Sequence, residues 1–481
     1  MSDLKQKTKI GMLWNMLEKV SIQIISFVFS IVLARLLTPS DYGTIGLLSV
    51  FVSFSNVFVD SGFSRALVQK QDRTEKDLST AFFFSLFISI IIYLILYFAS
   101  PVIAKFYKLP ELVSLQKVLF LVIILNSLTV VQSALLQINV DFKKIAISNA
   151  LSTIISGVLG IVAAYVGLGT WALVIQTISK AGVTAILLWI VSKWTPKATF
   201  SFLSFKQLFG FGSKLLISGV LSTIVTNINN LIIGKYYNSQ SLGYYTRAQQ
   251  FPDLVSGTLS SVLNNSTFPL MASLQDKKEE LVIVFKKLIK ITSMFVFPAM
   301  IGLACLSNTL IITLLGEKWT GTSILLFWLS LSYIFTPLSI LNMNILNAIG
   351  RSDLFLKVDI AKIPIILITM FITFPISLEA IVIGKAITAY IYFYINAYLV
   401  GKFFNFGALK QLFCSWKYII SALIMGSFVI MIDKFIISNV LSLFLSIIGG
   451  CFVYFILLYL LKDEVFFSIL NKIMEKLKCN Q

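Results

Sequence analysis

From Ile10 onward the chain alternates long apolar runs with short polar turns, and the apolar runs are about as long as a bilayer is thick. A helix of about 20 apolar residues crosses the hydrocarbon core, and a run of eighteen or more predicts such a helix. The pattern predicts fourteen spans, near 11–37, 44–68, 79–104, 112–136, 145–166, 171–192, 213–235, 246–272, 289–315, 321–348, 354–376, 379–401, 416–437 and 440–461. Backbone groups inside lipid find no water, so these segments must be helical and must bundle. The connections are too short to hold an extramembrane domain. The first run has no small-residue cleavage site near Leu37, so it reads as a retained helix.

Polar positions inside the runs follow the helical period. In the first span Asn15, Lys19, Gln23, Ser26 and Ser30 form one stripe, with Glu18 beside it. The second span gives Ser49, Ser53, Asn56, Asp60 and Ser64. The seventh gives Ser218, Ser222, Thr226 and Asn230. The eighth gives Gln249, Asp253, Ser256, Ser260, Asn264 and Thr267. Such residues are costly in lipid and face a bundle interior or a wet cavity. Packing between helices accounts for any single serine. Four coincident stripes predict a polar central cavity.

The pattern also repeats. The stretch "SIVLARLLTPSDYG" (30–43) and the stretch "NLIIGKYYNSQSLG" (230–243) each end an apolar run in a cation, then a polar turn, then a glycine. A shift of 200 residues places Arg35 on Lys235 and Gly43 on Gly243, and the second stripe on the eighth. This predicts two parallel six-helix halves, 1–205 and 206–405, followed by two extra helices and a tail in 406–481. A pseudo-two-fold along the membrane normal is one of the repeat symmetries of alternating-access transporters. The fold class is therefore an all-α polytopic membrane protein.

Composition sharpens this reading. Of 481 residues 57% are hydrophobic and 12% charged, and 39 Lys+Arg against 21 Asp+Glu give a net charge of +18. The cations gather at one set of span ends, for instance Lys5, Lys7 and Lys9, Lys70, Arg73 and Lys76, Lys277, Lys278, Lys286 and Lys287, and Lys472, Lys476 and Lys478. The positive-inside rule then puts both termini in the cytoplasm. With no basic soluble domain, nucleic acid is not a partner. Histidine is absent, which removes the commonest acid–base side chain and the commonest transition-metal ligand. The four cysteines, Cys305, Cys414, Cys451 and Cys479, lack metal-ligand spacing. No cofactor and no catalytic group is expected.

A few charges lie within the spans. Glu18 and Lys19, with Asp60 and Arg65, cluster towards one entrance and suggest an ion-pair network that opens and closes. Lys180 and Lys385 fall mid-span in corresponding helices, and Lys362 has Asp359 one turn away. Lys180 has no carboxylate in its own helix and is a candidate to meet an anionic substrate. Arg35, Lys235 and Arg247 mark outer span ends. Each is either a cation favoured by a helix terminus or part of an outer gate.

"LARLLTPSDYG" (33–43), followed by "VDSGFSRALVQ" (59–69), resembles the opening of bacterial polysaccharide exporters of the MOP superfamily, the Wzx-type and colanic-acid or teichuronic-acid type transporters. The likeness continues through "LGYYTRAQQFPDLVSGTLSSVLNNSTFPLMASLQD" (242–276), "GEKW" (316–319) and "LNAIGRSD" (346–353). The resemblance implies a MATE-like fold and a flippase that turns a polyprenyl-pyrophosphate-linked oligosaccharide from the inner to the outer leaflet. Polymerase and glycosyltransferase partners follow from the same resemblance. The polar stripes would bind sugars, and Lys19, Arg65 and Lys180 would bind pyrophosphate. Coupling to H+ or Na+ would run through Glu18, Asp60 or Asp253. A multidrug exporter, a lipid II flippase and a membrane polysaccharide polymerase are the alternatives. The first would favour intramembrane acids, and the last would need a large outer loop or catalytic histidines.

Overall fold

The computed structural model describes residues 21–479, and the side chains of all these except 264–266, 352, 353, 355, 356, 472, 473 and 476–479. The chain forms two compact units, one ending at Thr246 and one beginning at Arg247. Every regular element among the described residues is helical.

The first unit opens with α1 (Ser21–Leu36), then α2 (Pro39–Asp60), α3 (Phe63–Gln69) and α4 (Glu75–Tyr107). A segmented span follows as α5 (Leu112–Leu119), α6 (Leu121–Ser127) and α7 (Val130–Ile138). Then come α8 (Phe142–Tyr165), α9 (Thr170–Ser192) and α10 (Phe202–Tyr236). α11 (Ser239–Ala272) runs through the boundary. The second unit continues with α12 (Lys278–Cys305), α13 (Ser307–Leu315), α14 (Gly321–Tyr333), α15 (Thr336–Ala348), α16 (Ser352–Thr373), α17 (Leu378–Phe404), α18 (Ala408–Cys414), α19 (Trp416–Phe435), α20 (Asn439–Leu460) and α21 (Glu464–Cys479).

Among the described residues, eleven helical stretches are long and apolar enough to span a membrane, α2–α3, α5–α7 and α14–α15 each counting as one. α1, α11 and α16 occupy the other three predicted positions. α11 is rich in polar residues, and α16 carries Lys357, Asp359 and Lys362 in its first half.

The turns between spans start helices by side-chain capping. Thr38 caps α2: its backbone N–H donates to Asp41 Oδ2 at 2.8 Å, while Asp41 N–H donates back to Thr38 Oγ1 at 3.3 Å. Pro39 occupies the first turn, where no N–H is needed. Thr74 and Asp77 repeat this box at α4. Asn238 Oδ1 accepts from Ser241 N–H at 2.7 Å at the start of α11. Asp41 also accepts from Thr170 Oγ1 at 2.6 Å, tying the start of α2 to that of α9.

α10 packs within the first unit, against α2, α3 and α4. It therefore faces the broken span, and this positions the site.

Candidate functional site

The second span does not continue straight through. At Ser61 and Gly62 the backbone turns left-handed, with φ of 44° and 72°, and α3 restarts at Phe63. The left-handed region costs little at glycine and more elsewhere. Glycine is needed here for a second reason. A Cβ on Gly62 would stand 2.8 Å from Gly212 Cα of α10. Two turns further along α10, a Cβ on Gly219 would stand 2.8 Å from Val57 Cγ1. Small residues thus let α10 lie directly on the break.

Beside this contact lies a cleft of about 480 Å³. Asn56, Asp60 and Arg65 line it from α2 and α3. Leu215, Ser218 and Ser222 line it from α10. The polar stripes of the second and seventh spans therefore meet inside one unit. Asp60 Oδ1 accepts the Ser64 N–H at 3.2 Å, so the carboxylate is held at the restart of the helix. Asn56 Oδ1 accepts from Asn126 Nδ2 of α6 at 3.0 Å, which leaves the Asn56 amide nitrogen as a donor. Arg65 is exposed. One guanidinium, one carboxylate, an amide and two hydroxyls thus share a small wet volume with apolar walls. A guanidinium there offers a planar fork of donors that matches phosphate oxygens. Serine hydroxyls and an amide match sugar hydroxyls, as donors and acceptors.

The other sequence candidates fall elsewhere. Gln23 on α1 and Asn230 on α10 are half-buried and do not line this cleft. Lys180 is exposed on α9, also outside it. Lys235 Nζ donates to the Phe106 carbonyl at 2.6 Å and sits 3.6 Å from the Phe106 ring centroid. It satisfies an orphan carbonyl at the end of α4. Arg35 is exposed at the end of α1. In the second unit Arg247 is buried and donates to Gln250 Oε1. Gln249 and Asp253 are half-buried on α11. Lys362 Nζ stands 2.9 Å from Asp359 Oδ1, and Lys385 Nζ lies 5.3 Å from the Tyr333 ring centroid. Glu18 and Lys19, and the side chain of Asn264, lie outside the described residues.

Asn126 was not among the sequence candidates. Its span also carries Gln116 and Gln132, so nothing in the sequence singles out the amide that meets Asn56. Among the described residues there is no cluster of carboxylate and cysteine side chains able to hold a metal ion.

A bundle of apolar helices with a broken span over a polar cleft defines a membrane protein of the transporter type. The chain belongs to the polysaccharide biosynthesis protein family, whose pattern matches residues 32–324. It is similar to the teichuronic acid biosynthesis protein TuaB of Bacillus subtilis (strain 168), 28% identical over 74% of each chain. Its fold is that of the lipid II flippase MurJ in an inward closed conformation, with a TM-score of 0.75 at 17% identity over 94% of this chain and 99% of that one. An inward-facing multidrug resistance MATE family transporter of the MOP superfamily aligns with a TM-score of 0.59 at 15% identity, over 79% of this chain and 95% of that one.

Proposed function

We propose that the chain carries a polyprenyl-pyrophosphate-linked oligosaccharide across a bacterial inner membrane by alternating access, from the cytoplasmic to the outer leaflet. The observation that carries this reading is the cleft in which Arg65, Asp60, Asn56, Ser218 and Ser222 meet. The lipid tail can stay in the bilayer throughout, because it needs no desolvation. The sugars and pyrophosphate cannot, since isolated charge in hydrocarbon is prohibitive. They need a route that replaces water with fixed donors and a cation. The cleft offers both, at the end of the second span that the Lys/Arg distribution assigns to the cytoplasm.

In this reading Arg65 engages the pyrophosphate in a two-pronged contact. Asn56 and the two serines hold the first sugar. Asp60 is the group through which H+ or Na+ would couple; Asp253 in the second unit and Glu18 are the alternatives. Lys19, Lys180, Lys362 and Lys385, with Gln23, Asn230, Gln249 and Asn264, would line the remaining route, and Arg35, Lys235 and Arg247 its outer end. The repeat halves 1–205 and 206–405, the extra segment 406–481 and cytoplasmic termini belong to the same proposal. So do glycosyltransferase and polymerase partners on either side of the membrane. The chain acts as a carrier, not as a catalyst.

The test is a deletion strain of the native host, complemented with wild type or with Arg65→Ala. Wild type should clear the lipid-linked oligosaccharide from the inner leaflet. Arg65→Ala should leave it there while the protein remains in the membrane.

A further inference from the structure

A second concavity lies outside the polar cleft. Along the Phe83–Ile90 stretch of α4 and the first turn of α10 runs a groove of about 590 Å³ lined only by apolar side chains. Six of them are phenylalanines: Phe83, Phe84 and Phe87 of α4, and Phe200, Phe202 and Phe205 of the segment leading into and starting α10. Phe87 and Phe202 are 61% and 71% exposed, so their rings are offered to lipid rather than spent on the core. The groove is rigidly built. Lys197 N–H donates to Ser79 Oγ, and Ser201 N–H to Thr80 Oγ1, both at 3.0 Å, which pins the connecting segment along α4.

Two features connect this groove to one kind of ligand. The first is continuity with the cleft. Phe84 and Phe205 pack at 4.9 Å centroid to centroid, and each packs on Phe63, at 4.9 and 6.2 Å. Phe63 follows directly on Gly62, which lines the polar cleft. From Phe205 to Ser218 is about 20 Å along α10, at about 1.5 Å per residue. The second is charge. Lys197 and Lys206 are exposed at the two sequence ends of the Phe200–Phe205 segment, and Lys206 lies one turn from Phe202. A lipid with a phosphate headgroup matches this pairing of apolar groove and flanking cations.

We infer that the groove is the arrival site for the polyprenyl chain of the lipid-linked substrate, with its phosphate beside Lys197 and Lys206. This rests on the flippase reading of the cleft. The rings choose between a polyprenyl chain and an ordinary acyl chain. A polyprenyl chain carries a methyl branch on every isoprene unit and is stiffened by its double bonds. Both suit the flat, preorganised faces of phenylalanine, which lose little rotamer freedom on contact. A linear acyl chain gains no more from rings than from the leucine and isoleucine faces further along α4.

The experiment is native mass spectrometry of the purified full-length protein, titrated with undecaprenyl phosphate or with dioleoyl phosphatidic acid. Both probes carry a phosphate monoester and differ in their chains. Wild type should prefer the polyprenyl lipid by about tenfold. Phe87→Ala with Phe202→Ala should lose that preference and keep its binding of phosphatidic acid. Phe87→Leu with Phe202→Leu preserves apolar bulk, and should lose most of the preference even if the alanine pair does not fold. Lys197→Gln with Lys206→Gln should weaken both lipids alike. Equal affinity of wild type for the two lipids would mark an ordinary lipid contact and overturn the inference, as would an undiminished preference in the leucine pair. Neither probe carries sugar and no transport is read, so a negative result leaves the flippase reading standing. A tenfold preference in a protein that clears no lipid-linked oligosaccharide would keep the groove and remove the flippase.

Discussion

Gly43 of α2 and Gly243 of α11 occupy reciprocal places in one helix crossing. A Cβ on Gly43 would overlap the Ser239 carbonyl oxygen, and a Cβ on Gly243 would overlap the Pro39 carbonyl oxygen. Pro39 and Ser239 are themselves 200 residues apart, as are the two glycines. Ser40 Oγ and Ser239 Oγ share a hydrogen bond of 3.0 Å at the same place. The repeated polar interruption therefore ends in backbone-to-backbone contact between its two copies. Any side chain at either glycine must push the helices apart.

Gly43→Ala and Gly243→Ala should each destabilise the protein by about 1–3 kcal/mol, the usual cost of overpacking. Thermal unfolding of the purified variants should show similar drops in Tm for the two. Gly257→Ala is the control, because nothing lies within 4 Å of a Cβ there, and it should leave Tm unchanged or slightly raised.

Arg65→Ala should cut transport by at least about tenfold, as expected for a lost charged hydrogen bond of about 1.5–3 kcal/mol. Arg65→Lys keeps the charge and loses the planar fork, so it should restore only part of the rate. The protein level in the membrane should be normal for both, because Arg65 is exposed. Transport of lipid-linked oligosaccharide into the outer leaflet is the readout.

Asp60→Asn keeps an oxygen to accept the Ser64 N–H and removes the charge. It should fold with an unchanged Tm. If Asp60 couples transport to an ion gradient, its transport should no longer respond when the H+ or Na+ gradient is collapsed, whereas wild type should slow. A variant that still responds fully would move coupling away from Asp60.

Lys235→Met should cost under about 1 kcal/mol, since it removes one partly exposed cap of the α4 terminus. Its transport rate separates two roles. A purely structural cap leaves the rate at wild type, and an outer-gate cation lowers it.

Buried amides offer a test of the second unit. Asn342 and Gln411 are fully buried and bond each other twice, at 2.7 and 3.0 Å. Asn342→Leu leaves Gln411 Oε1 without its donor, while Nε2 keeps the Phe406 carbonyl at 3.1 Å, and should cost about 1–3 kcal/mol, read as a fall in Tm.

Much of this was legible in the sequence, for physical reasons. Lipid forces every span into a helix, so run length locates eleven of them among the described residues, while α1, α11 and α16 fall short of that test. The capping box at Thr38 and Asp41 is local and follows from spacing. The stripe through Asn56 and Asp60 marks the cleft wall, because helical period turns spacing into a face. What was not legible depends on long-range contact. The break at Ser61 and Gly62 falls inside one predicted span, 44–68; the Ser-Gly pair is a local turn signal, but the close approach of Gly212 to it is a long-range contact. That Lys235 also bonds the Phe106 carbonyl, 129 residues away, could not be read from its own span end. Phe83, Phe84, Phe200 and Phe202 read as ordinary apolar residues, since nothing local says that α4 and α10 lie side by side.

The most direct measurement is the leaflet distribution of lipid-linked oligosaccharide in the deletion strain with and without the gene. Without the gene the finished oligosaccharide unit should accumulate on the cytoplasmic leaflet, and wild type but not Arg65→Ala should move it outward. Accumulation on the outer leaflet, or no accumulation with surface polysaccharide intact, would contradict the flippase reading.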